Sequence, residues 1–120
     1  MIKRSDDLTD RLSRYREITI SVTGRKSGRT ISLPIWFVWE DGKLYLLPVE
    51  GSNSQWYKNV VANASIGVSA RDAKAEFKAD TTADAAQVKS VIKMFREKYG
   101  PGEIKKYYSN YDVAVIAQKR

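Results

Sequence analysis

From Glu17 to Trp39 apolar side chains recur at every second position, and the alternation is interrupted only by Gly24-Arg25-Lys26-Ser27-Gly28-Arg29. Ile18, Ile20 and Val22 fall on one side and Thr19, Ser21 and Thr23 on the other, a period of two that a half-buried strand satisfies and a helix does not. The two glycines can take positive φ, so the alternation resumes from Thr30 to Trp39 as the second arm of a hairpin. Asp41-Gly42 is a tight-turn signal, and Lys43 to Val49 reads as a third strand.

The remaining segments alternate between the two periodicities. Ser5 is positioned to cap an N-terminal helix whose Leu8, Leu12 and Tyr15 share a face. After the Gly51-Ser52-Asn53-Ser54 loop, Trp56, Val60 and Ala64 recur at spacing four, which predicts a short helix over 55–63 with Asn53 or Ser54 as its cap. Ser65 to Ala70 and Lys74 to Asp80 read as strands, the second with Lys74, Glu76, Lys78 and Asp80 on its outer face. Thr82 is the expected cap of the longest helix, where Val88, Val91, Ile92, Phe95 and Tyr99 form a 3.6-period stripe that Gly100-Pro101 ends. A short helical piece over 103–109 and a last strand over 111–118 close the chain. Six short strands in hairpins with helices between them predict an α+β fold, a small, mostly antiparallel barrel with three to four flanking helices.

Composition narrows the chemistry further. A chain of 120 residues with 42% hydrophobic side chains is expected to form a single domain with a real core. Apolar runs such as Leu44 to Val49 fall far short of the ~20 residues that cross a bilayer. Met1 to Asp7 turns acidic where a secretory signal needs an apolar stretch, so a cytoplasmic location is expected. The chain holds no Cys and no His. That excludes a thiolate nucleophile, a histidine base, a Ser-His-Asp triad and a Cys/His zinc site. An enzyme built from these residues uses Asp, Glu, Lys or Tyr for its protons, or orients a cofactor that carries the reactive centre.

The Gly24–Arg29 bend is where the sequence concentrates chemistry. Arg25, Lys26 and Arg29 can converge on one anion, Ser27 offers a hydroxyl, and glycines permit close backbone approach, so phosphate is its natural guest. The spacing is not that of a Walker loop, and the chain continues into a strand rather than a helix. The same six residues also read as a solvated basic hairpin tip.

Thr23-Gly24-Arg25-Lys26-Ser27-Gly28-Arg29, then Leu33-Pro34-Ile35, then Asp41-Gly42, then Trp56-Tyr57-Lys58-Asn59-Val60-Val61-Ala62-Asn63 stand in an order that resembles the deazaflavin-dependent nitroreductase family. The resemblance covers roughly Ile18 to Val68. It implies a split β-barrel, the fold also used by FMN-dependent pyridoxamine phosphate oxidases, as one cofactor-binding domain over residues 1–120. It further implies binding of coenzyme F-420, an 8-hydroxy-5-deazaflavin, with FMN as the alternative. Carried over by residue, it puts Arg25, Lys26, Ser27, Gly28 and Arg29 at the cofactor phosphate, Leu47, Pro48 and Val49 along the ring, and Trp56, Tyr57 and Asn59 on the helix beside it. The chain departs from the family pattern at Glu50 to Gln55, where a Ser-x-Gly-Gly and a Pro are usual, and at Ala62-Asn63-Ala64 in place of A-N-P.

The activity so implied is hydride transfer from the reduced deazaflavin to a small electron-poor acceptor, a quinone, nitro compound or activated alkene, with no protein nucleophile. Tyr99, Tyr107 and Tyr108 are candidates to meet that acceptor, although an aromatic patch near the C-terminus is also ordinary packing. Trp36 and Trp39 read as core, whereas Trp56 gains from the resemblance. The net charge of +7 is gathered in residues 1–30, with eight cations and four anions, and 89–106, with six and two. Such patches attract an anionic cofactor tail, and they also fit a basic nucleic-acid-binding barrel or a plain interaction module. The nucleic-acid reading lacks an RNP-like strand, a GXXG clamp and a zinc knuckle. Homodimer formation is compatible with so small a barrel.

Overall fold

The stretch expected to run unbroken from Thr30 to Trp39 is divided at a single residue, Trp36, into two strands that lie at opposite edges of one sheet. This computed structural model describes residues 4–120, with side chains from Asp7 onward. Its elements are α1 (Arg4–Arg14), β1 (Ile18–Thr23), β2 (Thr30–Ile35), β3 (Phe37–Glu40), β4 (Lys43–Leu46), α2 (Gln55–Ala62), β5 (Ser65–Ala70), β6 (Ala73–Thr82), α3 (Ala85–Tyr99), α4 (Pro101–Tyr107) and β7 (Ala114–Lys119). The sheet order is β2-β1-β5-β6-β7-β4-β3, and every pairing is antiparallel.

The edge strands β2 and β3 are joined through one residue, and consecutive Cα atoms are only about 3.8 Å apart. The sheet therefore has to curl until its edges meet at Trp36. The outcome is the expected α+β split barrel, with seven strands instead of six. Periodicity could not reveal the break, because Ile35 and Phe37 both enter the inner core and the alternation keeps its phase across the bend.

Two apolar cores lie on the two faces of the sheet. Inside the curl, Ile18, Ile20, Val22, Phe37, Leu44, Leu46, Ile66, Phe77 and Val115 pack with Leu8 and Leu12 of α1 and Val60 of α2. On the outside, Val38 and Ala114 turn to the opposite face and meet the α3 stripe of Val88, Val91, Ile92, Phe95 and Tyr99, closed by Ile104 of α4. The Asp41-Gly42 turn forms as expected, both residues at positive φ (53° and 75°), the geometry of a two-residue hairpin whose twist matches its strands.

The helix caps differ from expectation in detail. Thr82 ends β6, and Asp84 is the cap of α3, its carboxylate accepting from Gln87 N at 3.0 Å while Thr82 Oγ1 accepts from Asp84 N at 3.1 Å. Ser54 stands at the cap position of α2, but its hydroxyl turns back to accept from Glu50 N. Gly100 ends α3, and Pro101 begins α4. The capping role expected of Ser5 lies outside the described residues.

The barrel seam is held by the last turn of α3. The Tyr99 hydroxyl accepts from Phe37 N at 3.0 Å and offers its proton to Arg16 O at 2.7 Å and Phe37 O at 2.9 Å. Its ring stacks on Trp36 with centroids 4.4 Å apart and planes within 5°. Lys98 Nζ donates to Tyr15 O and Phe37 O at 2.9 and 2.8 Å and lies 3.7 Å from the centre of the Phe37 ring. Burial, reinforced by the Arg16 guanidinium, lowers Lys98 to about 8, while burial raises Tyr99 to about 12.

These shifts act on stability with opposite signs. Between about pH 8 and 10.5 the unfolded chain holds the Lys98 proton more tightly than the folded one, so stability rises with pH. Above about pH 10 the unfolded Tyr99 ionises while the folded one keeps its proton to about 12, so stability falls. Tyr108, also raised by burial, adds to that loss. The expected denaturation midpoint therefore climbs from pH 8 toward 10 and then drops. A midpoint that declines steadily across pH 8 to 10 would show that the Lys98 contribution is absent.

Candidate functional site

An open groove of about 610 Å³ runs along β2, between α2 and the end of α4. β2 pairs on one side only, with β1. Its Ile31, Leu33 and Ile35 line the groove with Trp36. Leu47, Val49 and Glu50 come from the segment after β4, Gln55, Trp56 and Asn59 from α2, and Tyr107 and Tyr108 from the far end. Ile31, Val49 and Tyr107, three of the four large hydrophobic residues that stay exposed among those described, are all here. Exposed apolar surface gathered at one concavity marks a binding surface rather than incidental exposure.

The Gly24–Arg29 loop abuts one end. Arg25 reaches onto α2, donating to Asn59 Oδ1 from its backbone N (3.1 Å) and from Nη1 (2.8 Å), and to Gln55 Oε1 from Nη2 (2.9 Å). Gln55 and Asn59 are one helical turn apart, so a single guanidinium fork spans both. Asn59 is 4% exposed and lines the groove, and its Nδ2 has no partner among the described residues. Lys26 and Arg29 are exposed and form no ion pair among the described residues.

Both glycines of this loop spend their N–H groups within the loop itself. Gly24 N donates to Arg29 O and Gly28 N to Gly24 O, both at 2.8 Å. Arg29 N is taken by Ser27 Oγ at 3.1 Å. The N–H groups without a partner among the described residues are those of Lys26 and Ser27. Gly28 is needed for its φ of 72°, whereas a Cβ at Gly24 would lie 2.6 Å from Ser27 Oγ and displace that hydroxyl from Arg29 N.

At the opposite end the aromatic residues cluster. Trp36 meets Tyr107 edge-on, with centroids 5.6 Å apart and planes at 81°, and Tyr108 at 6.2 Å and 43°. Tyr108 is 5% exposed, and burial holds its phenol well above the ordinary tyrosine range. Tyr99 does not line the groove. Its hydroxyl is engaged by backbone at the seam and its ring backs Trp36. Pro48 and Tyr57 also lie outside the lining, Pro48 buried and Tyr57 packed on the inner core. Leu47, Val49, Trp56, Asn59, Tyr107 and Tyr108 are the expected residues that the fold brings to the groove.

Trp36, expected in the core, packs against the outer core and also forms groove wall. Glu17, Glu50 and Gln55 went unforeseen as groove residues. The spacing of Gln55 and Asn59 on one helical face was a readable signal for the pair. Nothing local marks Glu17 or Trp36.

The loop that departs from the nitroreductase pattern is clamped rather than loose. Residues 51–53 form a 3-10 turn, and Ser52 donates to the Asp112 carboxylate from both N and Oγ. These bonds, chiefly the one from the Ser52 hydroxyl, hold Asp112 below the ordinary carboxylate range. Ser109 N donates to Val49 O at 2.9 Å, tying the groove wall to the chain that follows α4.

Among solved structures this fold recurs. An F420-H2 dependent reductase (FDR-A) is 24% identical, covers 86% of this chain and 94% of its own, and superposes with a TM-score of 0.67. HutZ, a heme storage protein from Vibrio cholerae, is 13% identical, with 99% and 92% covered and a TM-score of 0.72. A candidate pyridoxamine 5′-phosphate oxidase from Listeria innocua is 11% identical, with 98% and 94% covered and a TM-score of 0.71. At these identities what is shared is the split-barrel fold. No curated protein matches the chain. A family model described as "Uncharacterized protein conserved in bacteria (DUF2255)" matches residues 8–117, from the α1 core leucine to the inward face of β7, so nearly every element that builds the barrel and its groove is included and the chain belongs to the DUF2255 family.

Proposed function

We propose that the groove holds a flat, phosphorylated redox cofactor, the deazaflavin F-420 or alternatively FMN, and that the protein is a reductase of small electron-poor acceptors such as quinones, nitro compounds or activated alkenes. The observation that carries this reading is the contiguity of an apolar groove of about 610 Å³ with a cationic loop whose Lys26 and Arg29 form no ion pair among the described residues. That volume lies within the roughly 300–1,000 Å³ of small-molecule sites. The donor set fits such a group. Lys26 and Arg29 with the N–H groups of Lys26 and Ser27 are suited to a phosphate, and Leu47, Val49 and Trp56 to a ring. The reductase among the structural neighbours and the ordered motifs of the loop and α2 support the same assignment.

When bound, the deazaflavin supplies the hydride. The residues of this chain would orient donor and acceptor and exclude water from between them. Arg25 holds the loop against α2, and Tyr99 holds Trp36 in the wall. The Tyr108 phenol is protonated at neutral pH, as any tyrosine is, and burial raises it further, so it can donate a hydrogen bond to an acceptor oxygen. Pairing of two copies remains part of this reading. No described helix is long and apolar enough to cross a membrane.

Titration of the purified chain with deazaflavin and with FMN is the direct test. Saturable binding of one of them, seen as a shifted absorbance and quenched fluorescence, is expected. Absence of binding by both removes the reductase reading.

A further inference from the structure

Among the described residues no Lys or Arg lines the groove, whose charged members are Glu17 and Glu50, in a chain with a net charge of +7. Glu17 lies toward the aromatic end, and Glu50 lies between that end and α2, where its N–H is taken by Ser54 Oγ. Ile18 faces Ile35 in the β1–β2 register, so Glu17 is one step further along, beside Trp36. Its charge acts on the Tyr99 phenol, whose ring stacks on Trp36. Glu50 follows Val49, whose carbonyl is bonded to Ser109 N immediately after Tyr107 and Tyr108. Neither carboxylate has an ion-pair partner among the described residues.

Three cations stand near this end without lining the groove, and of these Lys106 Nζ lies 5.2 Å from the centre of the Tyr107 ring. Lys98 gives its protons to two backbone carbonyls, and Arg16 lies 4.8 Å from the centre of the Tyr99 ring and donates to Lys98 O. Neither lines the groove. Trp36 and Tyr107, set at 81°, make a corner of two aromatic walls. Tyr108, 5% exposed, lines the same end with a hydroxyl that has no hydrogen-bond partner among the described residues.

Aromatic faces attract cations through the ring quadrupole, and a carboxylate on the same groove adds the pull of its charge. A neutral guest uses the walls alone, and an anion is repelled. We propose that the Trp36–Tyr107–Tyr108 end of the groove binds a flat organic cation, with Glu17 and Glu50 as its counter-charge. Resting on the reductase reading, this makes the acceptor a positively charged one, of the N-alkylpyridinium or iminium class. The groove is then polarised along its length, with cations of the loop at the end for an anionic cofactor and carboxylates toward the end for a cationic acceptor.

The test uses the full chain without cofactor, followed by tryptophan fluorescence and calorimetry with three probes of one shape: N-methylquinolinium, neutral quinoline and quinoline-2-carboxylate. The cation is expected to bind about tenfold more tightly than quinoline, with the carboxylate weakest. Raising the salt to about 0.5 M is expected to erase much of that preference, because the carboxylates are exposed. The Glu17→Gln/Glu50→Gln variant is expected to bind cation and neutral probe equally, with unchanged melting temperature. Quinoline binding as tightly as its cation, or a preference that survives in the double variant, overturns the proposal. A cation preference without any flavin binding sinks the reductase reading and leaves this site standing, whereas flavin binding without the preference does the reverse.

Discussion

Replacing Lys26 and Arg29 together by alanine is expected to weaken deazaflavin or FMN binding by about a hundredfold while leaving the melting temperature of the ligand-free protein where it was. A hydrogen bond to a charged group is worth roughly 1.5–3 kcal/mol, and each 1.4 kcal/mol is tenfold in affinity, so two lost contacts give two orders of magnitude even after discounting for solvent screening. The ligand-free fold loses nothing, because both side chains are exposed and without an ion-pair partner among the described residues. Arg25→Ala is the informative contrast. It also removes the fork to Gln55 and Asn59, so it lowers both affinity and melting temperature. Equal affinity in the Lys26→Ala/Arg29→Ala variant, measured by the same titration, would show that the loop does not hold the phosphate.

Gly51→Ala is expected to lower the melting temperature by on the order of 10 °C and to reduce ligand binding as well. Gly51 has a φ of 59°, where an L side chain costs about 1–2 kcal/mol. In addition, a Cβ would lie 2.2 Å from Asp112 Oδ1 and 2.8 Å from the Asn110 amide, so the clamp on Ser52 has to open. Together these make a loss on the order of 2–4 kcal/mol, which in a domain of this size corresponds to that shift. The wall residues Leu47, Val49 and Glu50 move with the loop, which couples stability to binding. Gly42→Ala separates the two causes. Its φ of 75° is as unfavourable, but nothing lies within 4 Å of the added carbon, so only the backbone cost of about 1–2 kcal/mol applies. Equal losses in the two variants, by thermal denaturation, would show that the Asp112 clamp contributes nothing.

How much was readable from the chain depended on whether the signal was local. The alternation through β1, β5 and β6 is a property of each strand and its burial, and those strands lie within a few residues of where the pattern puts them. The Asp41-Gly42 turn was equally legible, because positive φ at two adjacent positions is a demand on those residues alone. The cap of α3 was displaced by two residues, from Thr82 to Asp84, because both are good capping types and the choice depended on how far β6 runs beside β7. The break at Trp36 left no trace in the pattern, since hydrophobic phase is the same on either side.

The candidate site divides along the same line. The cationic loop and the α2 motif are contiguous in sequence, and the fold does bring them together, Arg25 to Asn59. Tyr107 and Tyr108 reach the groove, while Tyr99, on the same evidence of residue type, is spent on the seam. Chemistry that a side chain could perform is a matter of its type, but its availability depends on which backbone groups it meets, and Tyr99 meets Phe37 and Arg16 from more than sixty positions away. Glu17 and Trp36 become site residues only through the β1–β2 register and the bend between β2 and β3.

By itself, then, the amino-acid order determined what depends on neighbours along the chain: strand and helix periods, the hairpin turns, the exclusion of thiol and imidazole chemistry, and a positively charged bend. Only the tertiary structure decided where the sheet breaks, which tyrosines reach the groove, and that Glu17 and Glu50 of a basic protein line it together with Trp36 and Tyr107. The physical reason is that periodicity and turn preference are fixed within a few residues. Groove walls are assembled by curling a seven-stranded sheet until its two edges meet, which is a property of the whole chain.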